Sequence, residues 1–161
     1  MAIEKQQNSL SVAGIDLGTH HAAIVVIEGD IVKYGKLLSS PSLAKLWNEI
    51  DNLTKHFKLD YISCEQPYYH KNVKSAFVLY EQFGVIKLFC QKNDIEFVAL
   101  SPSKIKKIIT GKGQASKNMV SRLTKLRLHD PDGILAYNNF DLTDAASIAL
   151  ATLIMRKKLF I

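Results

Sequence analysis

The sequence predicts an α/β fold in which a five-stranded mixed sheet is flanked by helices. Three apolar segments joined by short turns come first, and strands connected in this way form an antiparallel meander. Two further apolar segments each follow a stretch with helical spacing, which favours parallel pairing through a helical crossover. The predicted sheet therefore combines a three-strand antiparallel meander with two parallel strands.

The length of 161 residues suits one domain that spans residues 1–161, with a loose N-terminus at residues 1–8. Apolar residues make up 47% of the chain and charged residues 22%, as in soluble globular proteins. The apolar runs are too short for a membrane span, and residues 1–8 lack the apolar centre of a signal peptide. We therefore expect a cytoplasmic protein in which Cys64 and Cys90 are buried, reduced thiols.

The meander is predicted from three apolar segments, at residues 10–17, 22–28 and 31–38. Gly29-Asp30 is a two-residue hairpin signal between the second and the third segment. His20 and His21 lie in the first turn, where we expect surface positions. The exception to the apolar pattern is Asp16, a carboxylate within the first strand. Because an unpaired buried charge is costly, Asp16 is expected to have a partner or to bind a metal.

Helices and two strands alternate in the rest of the chain. The predicted strands are residues 60–65 and 95–100. The predicted helices are one that starts within residues 39–42 and ends near residue 57, then residues 73–92, 101–109 and 115–128, and a last helix opened by Asp141. Helix 73–92 carries apolar residues on nearly every side, which is typical of a helix buried on more than one side. In a chain this small, we expect a second subunit to cover one of those sides, so that the protein is a homodimer. The alternative is a central core helix.

The charge distribution indicates a polyanionic partner. The formal net charge is +6, and no Asp or Glu occurs between Phe97 and His129. The same segment contains eight basic residues: Lys104, Lys106, Lys107, Lys112, Lys117, Arg122, Lys125 and Arg127. A solvated helix face would normally include acids one turn away from its bases. A block of one sign is instead typical of a nucleic-acid binding surface.

Four acids stand where predicted elements begin or end: Asp16, Glu65, Asp141 and Asp144. Parallel first and fourth strands would bring the first two together, and the i,i+3 spacing puts the last two on one helix face. Four converging carboxylates repel one another unless cations lie among them. Oxygen ligands suit Mg²⁺ or Mn²⁺, and two such ions roughly 4 Å apart clamp the attacking water and the leaving oxygen of a phosphodiester.

These acids also have structural interpretations. Asp141 suits a helix N-cap, Asp144 suits the positive end of a helix dipole, and Glu65 could end a strand at the surface. Asp16 is the hardest of the four to explain in structural terms. The basic segment between Phe97 and His129 makes phosphodiester chemistry the interpretation that joins these features.

Four segments in this order resemble RuvC-type Holliday junction resolvases, which are members of the ribonuclease H-like superfamily. The resemblance covers about residues 12–153, and the order of predicted elements agrees with it. The matching segments are Gly14-Ile15-Asp16-Leu17-Gly18, Ser63-Cys64-Glu65-Gln66-Pro67-Tyr68, the basic residues Ile105-Lys106-Lys107 with Thr110-Gly111-Lys112-Gly113 and Lys117, and Asp141-Leu142-Thr143-Asp144-Ala145-Ala146. The first segment is a weak signal alone, whereas the four together are specific.

The resemblance implies an Mg²⁺-dependent endonuclease that serves DNA recombination and repair. It implies a homodimer, formed through helix 73–92, that places two sites on symmetry-related strands of a four-way junction. Two Mg²⁺ ions per site, replaceable by Mn²⁺, would be held by Asp16, Glu65, Asp141 and Asp144. Lys106 and Lys117 correspond to catalytic lysines near the scissile phosphate, and Tyr68 to an aromatic residue that stacks on junction bases. The other expected DNA contacts are Lys104, Lys107, Lys112 and Arg122.

Some features depart from this resemblance or leave it open. Residues 129–140 form a longer loop than the family leads us to expect. Base-reading side chains do not stand out, so cleavage is expected to follow DNA shape more than sequence. A nuclease acting on flaps, forks or RNA–DNA hybrids and a non-catalytic junction-binding module are the alternatives. The first segment also resembles a phosphate loop of actin-like ATPases and sugar kinases, which need a second glycine-rich domain. The source is either a bacterium or a phage.

Overall fold

Five strands form one mixed sheet in the computed structural model, which describes residues 9–68, 72–136 and 140–157. The spatial order is β3-β2-β1-β4-β5. The strands are β1 (Ser11–Asp16), β2 (His21–Glu28), β3 (Ile31–Ser39), β4 (Tyr61–Glu65) and β5 (Glu96–Leu100). Strands β1 to β3 pair antiparallel, whereas β4 runs parallel to both β1 and β5. The predicted fold class is confirmed, and the predicted loose segment 1–8 lies outside the described residues.

Five described helices cover the two faces of this sheet. They are α1 (Leu43–His56), α2 (Val73–Lys92), α3 (Pro102–Thr110), α4 (Lys117–Arg127) and α5 (Phe140–Lys157). Helix α4 begins two residues later than predicted because Ser116 is its N-cap and accepts a hydrogen bond from the Met119 amide at 3.2 Å. The N-cap interpretation of Asp141 is wrong, because α5 begins at Phe140 and Asp141 lies inside its first turn.

The sheet separates two apolar cores. Side chains of β1 alternate between them, as the pleat of a strand requires. Val12 belongs to the core shared with α3, α4 and α5, whereas Ala13 and Ile15 belong to the core shared with α1 and α2. The free thiols Cys64 and Cys90 are buried in the second core, as predicted. Within the described residues, we find no helix long and apolar enough to cross a membrane.

The close approach of α5 to β1 depends on Gly14. A Cβ atom at this position would overlap the carbonyl oxygen of Ala145 and lie 2.7 Å from the amide nitrogen of Ala149. Any larger residue would therefore push the helix away from the strand. Asp16 lies two residues further along the same face of β1, so the glycine also sets how near α5 can come to that carboxylate.

Helix α2 occupies its predicted range, residues 73–92, but it is not a central core helix. One side is buried by residues that include Ile86 and Phe89. On its other side, apolar side chains are exposed, and Phe77 reaches 65% exposure. The exposed set is Val73, Phe77, Val78, Tyr80 and Leu88. The core-helix alternative is therefore wrong for the isolated chain, and the homodimer stays a prediction.

Candidate active site

Three aspartates meet beside the end of β1. Asp16 is the last residue of that strand, Asp141 lies in the first turn of α5, and Asp144 follows three residues later on the same face of that helix. Each offers one carboxylate oxygen, and these oxygens all lie within 4.8 Å of one another. A group of oxygen donors this close fits a hard divalent cation such as Mg²⁺ or Mn²⁺. The predicted convergence of these acids is thus present in the structure.

Glu65 lies at the same edge of the sheet but outside that 4.8 Å group. It ends β4, which pairs with β1 so that Cys64 stands opposite Ile15. Glu65 consequently lines the same cavity as Asp16 and Asp144.

The pKa of Asp16 shows how unfavourable its charge is in this cavity. Burial is the largest cause of the shift, and the negative charges of Asp144, Glu65 and Asp141 add to it. Together they raise the pKa of Asp16 to about 7, although Lys117 acts in the opposite direction. Carboxylates of this kind accept a proton or a cation in order to remain together.

Two lysines supply positive charge to the cavity. Lys117 begins α4, and its Nζ lies 2.6 Å from a carboxylate oxygen of Asp144. That hydrogen bond raises the pKa of Lys117. Burial raises the pKa of Glu65, while Lys106 and Lys117 partly offset this shift. Both lysines line the cavity, as expected for groups that would face a bound phosphate.

Tyr68 stands at the rim of the same cavity. Its side chain is 52% exposed, and the preceding carbonyl of Pro67 accepts a hydrogen bond from the Tyr80 hydroxyl at 3.0 Å. Helix α2 thus fixes the backbone directly before the aromatic ring. Residues 69–71, which follow Tyr68, lie outside the described part of the chain.

The other predicted DNA contacts are exposed, and none of them lines the acidic cavity. Lys104 and Lys107 lie on α3, and Lys112 follows that helix. Arg122 lies on α4 and lines a neighbouring groove. His20 and His21 are exposed, as predicted.

Two residues at this site have no counterpart in the predicted set. Gln82 of α2 is fully buried, and its side-chain amide donates to the Gly18 carbonyl at 3.1 Å, which holds the turn after Asp16. Phe140 precedes Asp141, and its ring centroid lies 5.4 Å from the Lys117 Nζ. An aromatic residue directly before an acidic pair was the available sequence signal for Phe140, whereas the pairing of Gln82 with Gly18 depends on tertiary packing.

This topology, with carboxylates of the first strand, the fourth strand and the last helix around one cavity, is that of the ribonuclease H-like nucleases. The sequence model of the family described as crossover junction endodeoxyribonuclease RuvC matches residues 10–152. The chain therefore belongs to the RuvC family, and the predicted family and enzyme class are confirmed. The nuclease interpretation of the first segment is favoured over a phosphate loop.

Individual relatives agree with this assignment. RuvC of Carboxydothermus hydrogenoformans is 30% identical over 157 residues, which cover 88% of this chain and 94% of the relative. RuvC of Fusobacterium nucleatum is 31% identical over 127 residues, which cover 72% and 67%. The solved structure of Thermus thermophilus RuvC in complex with Holliday junction substrate has a TM-score of 0.80 at 16% identity, covering 92% of this chain and 96% of that one. These bacterial relatives fit the bacterial alternative for the source.

Proposed function

We propose that the chain is a metal-dependent endonuclease that resolves four-way DNA junctions by paired nicks. The observation that carries this proposal is the group of three aspartates whose carboxylate oxygens lie within 4.8 Å, next to Glu65 and two lysines. Its support from comparison is membership of a family described as crossover junction endodeoxyribonucleases. We also propose that the protein acts in the cytoplasm, where the DNA of a bacterial cell lies.

The donor set fits two Mg²⁺ ions, which Mn²⁺ could replace. Asp16, Glu65, Asp141 and Asp144 would hold them, because all four offer hard oxygen ligands at one edge of the sheet. When bound, the ions would supply charge stabilisation for in-line attack of water on a phosphodiester. The raised pKa of Asp16 supports this assignment, because a nearby cation would favour its charged form.

The remaining residues of the cavity would hold and orient the DNA. Lys106 and Lys117 would donate to the scissile phosphate and offset the charge that develops on it. Tyr68 would stack on a base at the branch point, which accepts any base identity. Lys104, Lys107, Lys112 and Arg122 would contact phosphates along the junction arms.

The direct test compares three DNA substrates: a synthetic four-way junction, a flap and a linear duplex, each with Mg²⁺ or with EDTA. We expect symmetric paired nicks on the junction, and only with Mg²⁺. Equal cutting of the linear duplex would contradict junction selectivity, and preferential cutting of the flap would favour the alternative of another branched-DNA nuclease. Lys117→Ala should slow cleavage at saturating junction; weaker binding alone would make this lysine a phosphate anchor.

We also propose a homodimer in which α2 forms the interface, because paired nicks require two sites. The exposed apolar side chains of α2 support this arrangement. Phe77→Glu should shift the protein from dimer to monomer in analytical ultracentrifugation, since it places a charge on that face. Leu43→Glu, at an exposed apolar position on α1, is the matched control and should remain dimeric. A dimer that persists in Phe77→Glu would contradict this interface.

A further inference from the structure

A second groove lies directly beside the acidic cavity, between α4 and the start of α5. Helix α4 contributes Asn118, Arg122, Lys125 and Leu126 to its lining, and α5 contributes Phe140. Arg122 and Lys125 are exposed, and Phe140 is 45% exposed although it is a large aromatic residue. The groove therefore combines two cations with an accessible ring.

Phe140 stands at the boundary between this groove and the acidic cavity. Its ring lines the groove, and the ring centroid lies 5.4 Å from the Nζ of Lys117. Lys117 in turn contacts Asp144 at 2.6 Å inside the cavity. An extended ligand could therefore run from the acidic cavity, past the Phe140 ring, into the groove.

Buried hydroxyl groups fix the two helices that form the groove. The hydroxyls of Thr124 and Ser147 lie 2.9 Å apart, and the Ser147 hydroxyl donates to the Thr143 carbonyl at 2.8 Å. The Thr124–Ser147 contact joins α4 to α5, and the Ser147–Thr143 hydrogen bond lies within α5. Because the helices are held together, the groove is a preformed surface that needs little ordering when a ligand binds.

We propose that this groove binds the DNA strand that flanks the scissile phosphate, with Phe140 stacked on a base and with Arg122 and Lys125 on phosphates. This inference rests on the proposed nuclease function and adds a second subsite to it. The absence of acids between residues 97 and 129 makes the α4 side of the groove complementary to a polyanion. Proteins hold unpaired nucleotides with an aromatic ring next to cationic side chains, and this groove has both. A protein partner that carries no cluster of acids would not match the positive charge of the groove.

Binding of a fluorescein-labelled four-way junction, measured with Ca²⁺ in place of Mg²⁺, tests the stacking contact first. Phe140→Ala should weaken binding by about 5- to 100-fold, the range for loss of one stacked base. Phe140→Trp should bind like the unsubstituted protein, because it keeps an aromatic face. The matched control is Leu43→Ala on the opposite layer, which should leave affinity unchanged. Equal affinity of Phe140→Ala and the control would overturn the proposal.

A set of junctions that each carry one abasic site near the cut then identifies the contacted base. At one position, the abasic site should weaken binding to the unsubstituted protein but leave Phe140→Ala unaffected, because each change removes the same contact. Additive losses at every position would overturn base stacking. A slower cut at saturating junction with unchanged affinity would also overturn it, since the ring would then only position Lys117.

The phosphate contacts are tested by the salt dependence of junction binding. Lys125→Ala should reduce the slope of log affinity against log salt by about 1, as expected for one lost phosphate contact. Lys58→Ala makes the same charge change on an exposed position after α1 and should not alter the slope. If the unsubstituted protein neither binds nor cuts the junction, the nuclease proposal fails. If it does both and Lys125→Ala behaves like Lys58→Ala, the phosphate contact of the groove fails alone.

Discussion

Two carboxylates that lie on opposite faces of the sheet have opposite surroundings. Glu49 of α1 is only 8% exposed, and it accepts hydrogen bonds from the Tyr34 hydroxyl at 2.5 Å and from the Lys36 Nζ at 2.6 Å. Burial alone would raise the pKa of Glu49, but these two donors lower it overall. Asp16 instead faces Asp144, and burial together with its acidic neighbours raises its pKa to about 7.

The difference separates a carboxylate that stabilises the fold from one that the fold tolerates. Glu49 has a cation and a hydroxyl of its own, so its charge is satisfied as soon as α1 packs on β3. Asp16 is surrounded by further negative charges, and the positive charge of Lys117 offsets only part of the rise in its pKa. A site that concentrates negative charge in this way is arranged for a ligand that the polypeptide does not supply.

Substitution of Asp16 and of Glu49 should differ most in its effect on the rate of DNA cleavage. Asp16→Asn should lower the single-turnover rate of junction cutting by roughly 10²–10³-fold or more, because it removes a charged ligand from the proposed metal site. Glu49→Gln should cut within about twofold of the unsubstituted rate when folded protein is compared, since its carboxylate faces the other core. Circular dichroism provides the check on folding. Normal cutting by Asp16→Asn would show that this carboxylate is not required.

Folding stability should respond in the opposite sense. In EDTA at pH 8, Asp16→Asn should raise the free energy of unfolding by about 1–3 kcal/mol, because it removes a charge that burial and repulsion disfavour. Glu49→Gln should lower it by about 1–3 kcal/mol, because it weakens the bonds from Tyr34 and Lys36. Urea unfolding of both variants measures this difference. A lower free energy of unfolding in both variants would show that the Asp16 carboxylate stabilises the fold, as the Glu49 carboxylate does.

The pH dependence of the free energy of unfolding should show a smaller effect, with opposite directions for Asp16 and Glu49. Folding raises the pKa of Asp16 from 3.8 to about 7, so the folded protein binds this proton more tightly than the unfolded chain. Without metal, its contribution is therefore most favourable below pH 4 and is lost as the pH rises towards 7. Glu49 has a lowered pKa, so its contribution is present at neutral pH and is lost in acid. In urea titrations made in EDTA, Asp16→Asn should reduce the decline of the free energy of unfolding between pH 4 and 7. The same decline in Asp16→Asn and in the unsubstituted protein would contradict the raised pKa of Asp16.

The same two carboxylates show how far sequence reasoning reaches. Asp16 was identified because one charge in an apolar run has few structural explanations, and the element order placed β4 and α5 beside it. The partners of Glu49 depend on how α1 lies across β3, which no local pattern of residues encodes.

Local sequence signals predict where helices begin better than they predict which side chains are buried. Ser42, Ser101 and Ser116 cap three helices and explain why the predicted helix starts lie close to the observed ones. The exposure of Phe140 and the burial of Gln82 could not be predicted in this way. Phe140 contacts Lys117 of α4, and Gln82 contacts the turn after β1, so both depend on residues that are distant in sequence.

Thermal unfolding with and without Mg²⁺ tests the central claim most directly, namely that the charges around Asp16 are arranged for a divalent cation. A ligand present at about 100 times its Kd stabilises the folded state by about 2.7 kcal/mol. We predict that saturating Mg²⁺ raises the Tm of the unsubstituted protein and of Glu49→Gln by the same amount, each from its own baseline, and leaves Asp16→Asn unchanged. A full Mg²⁺ shift in Asp16→Asn, or none in the unsubstituted protein, would contradict the proposed metal site.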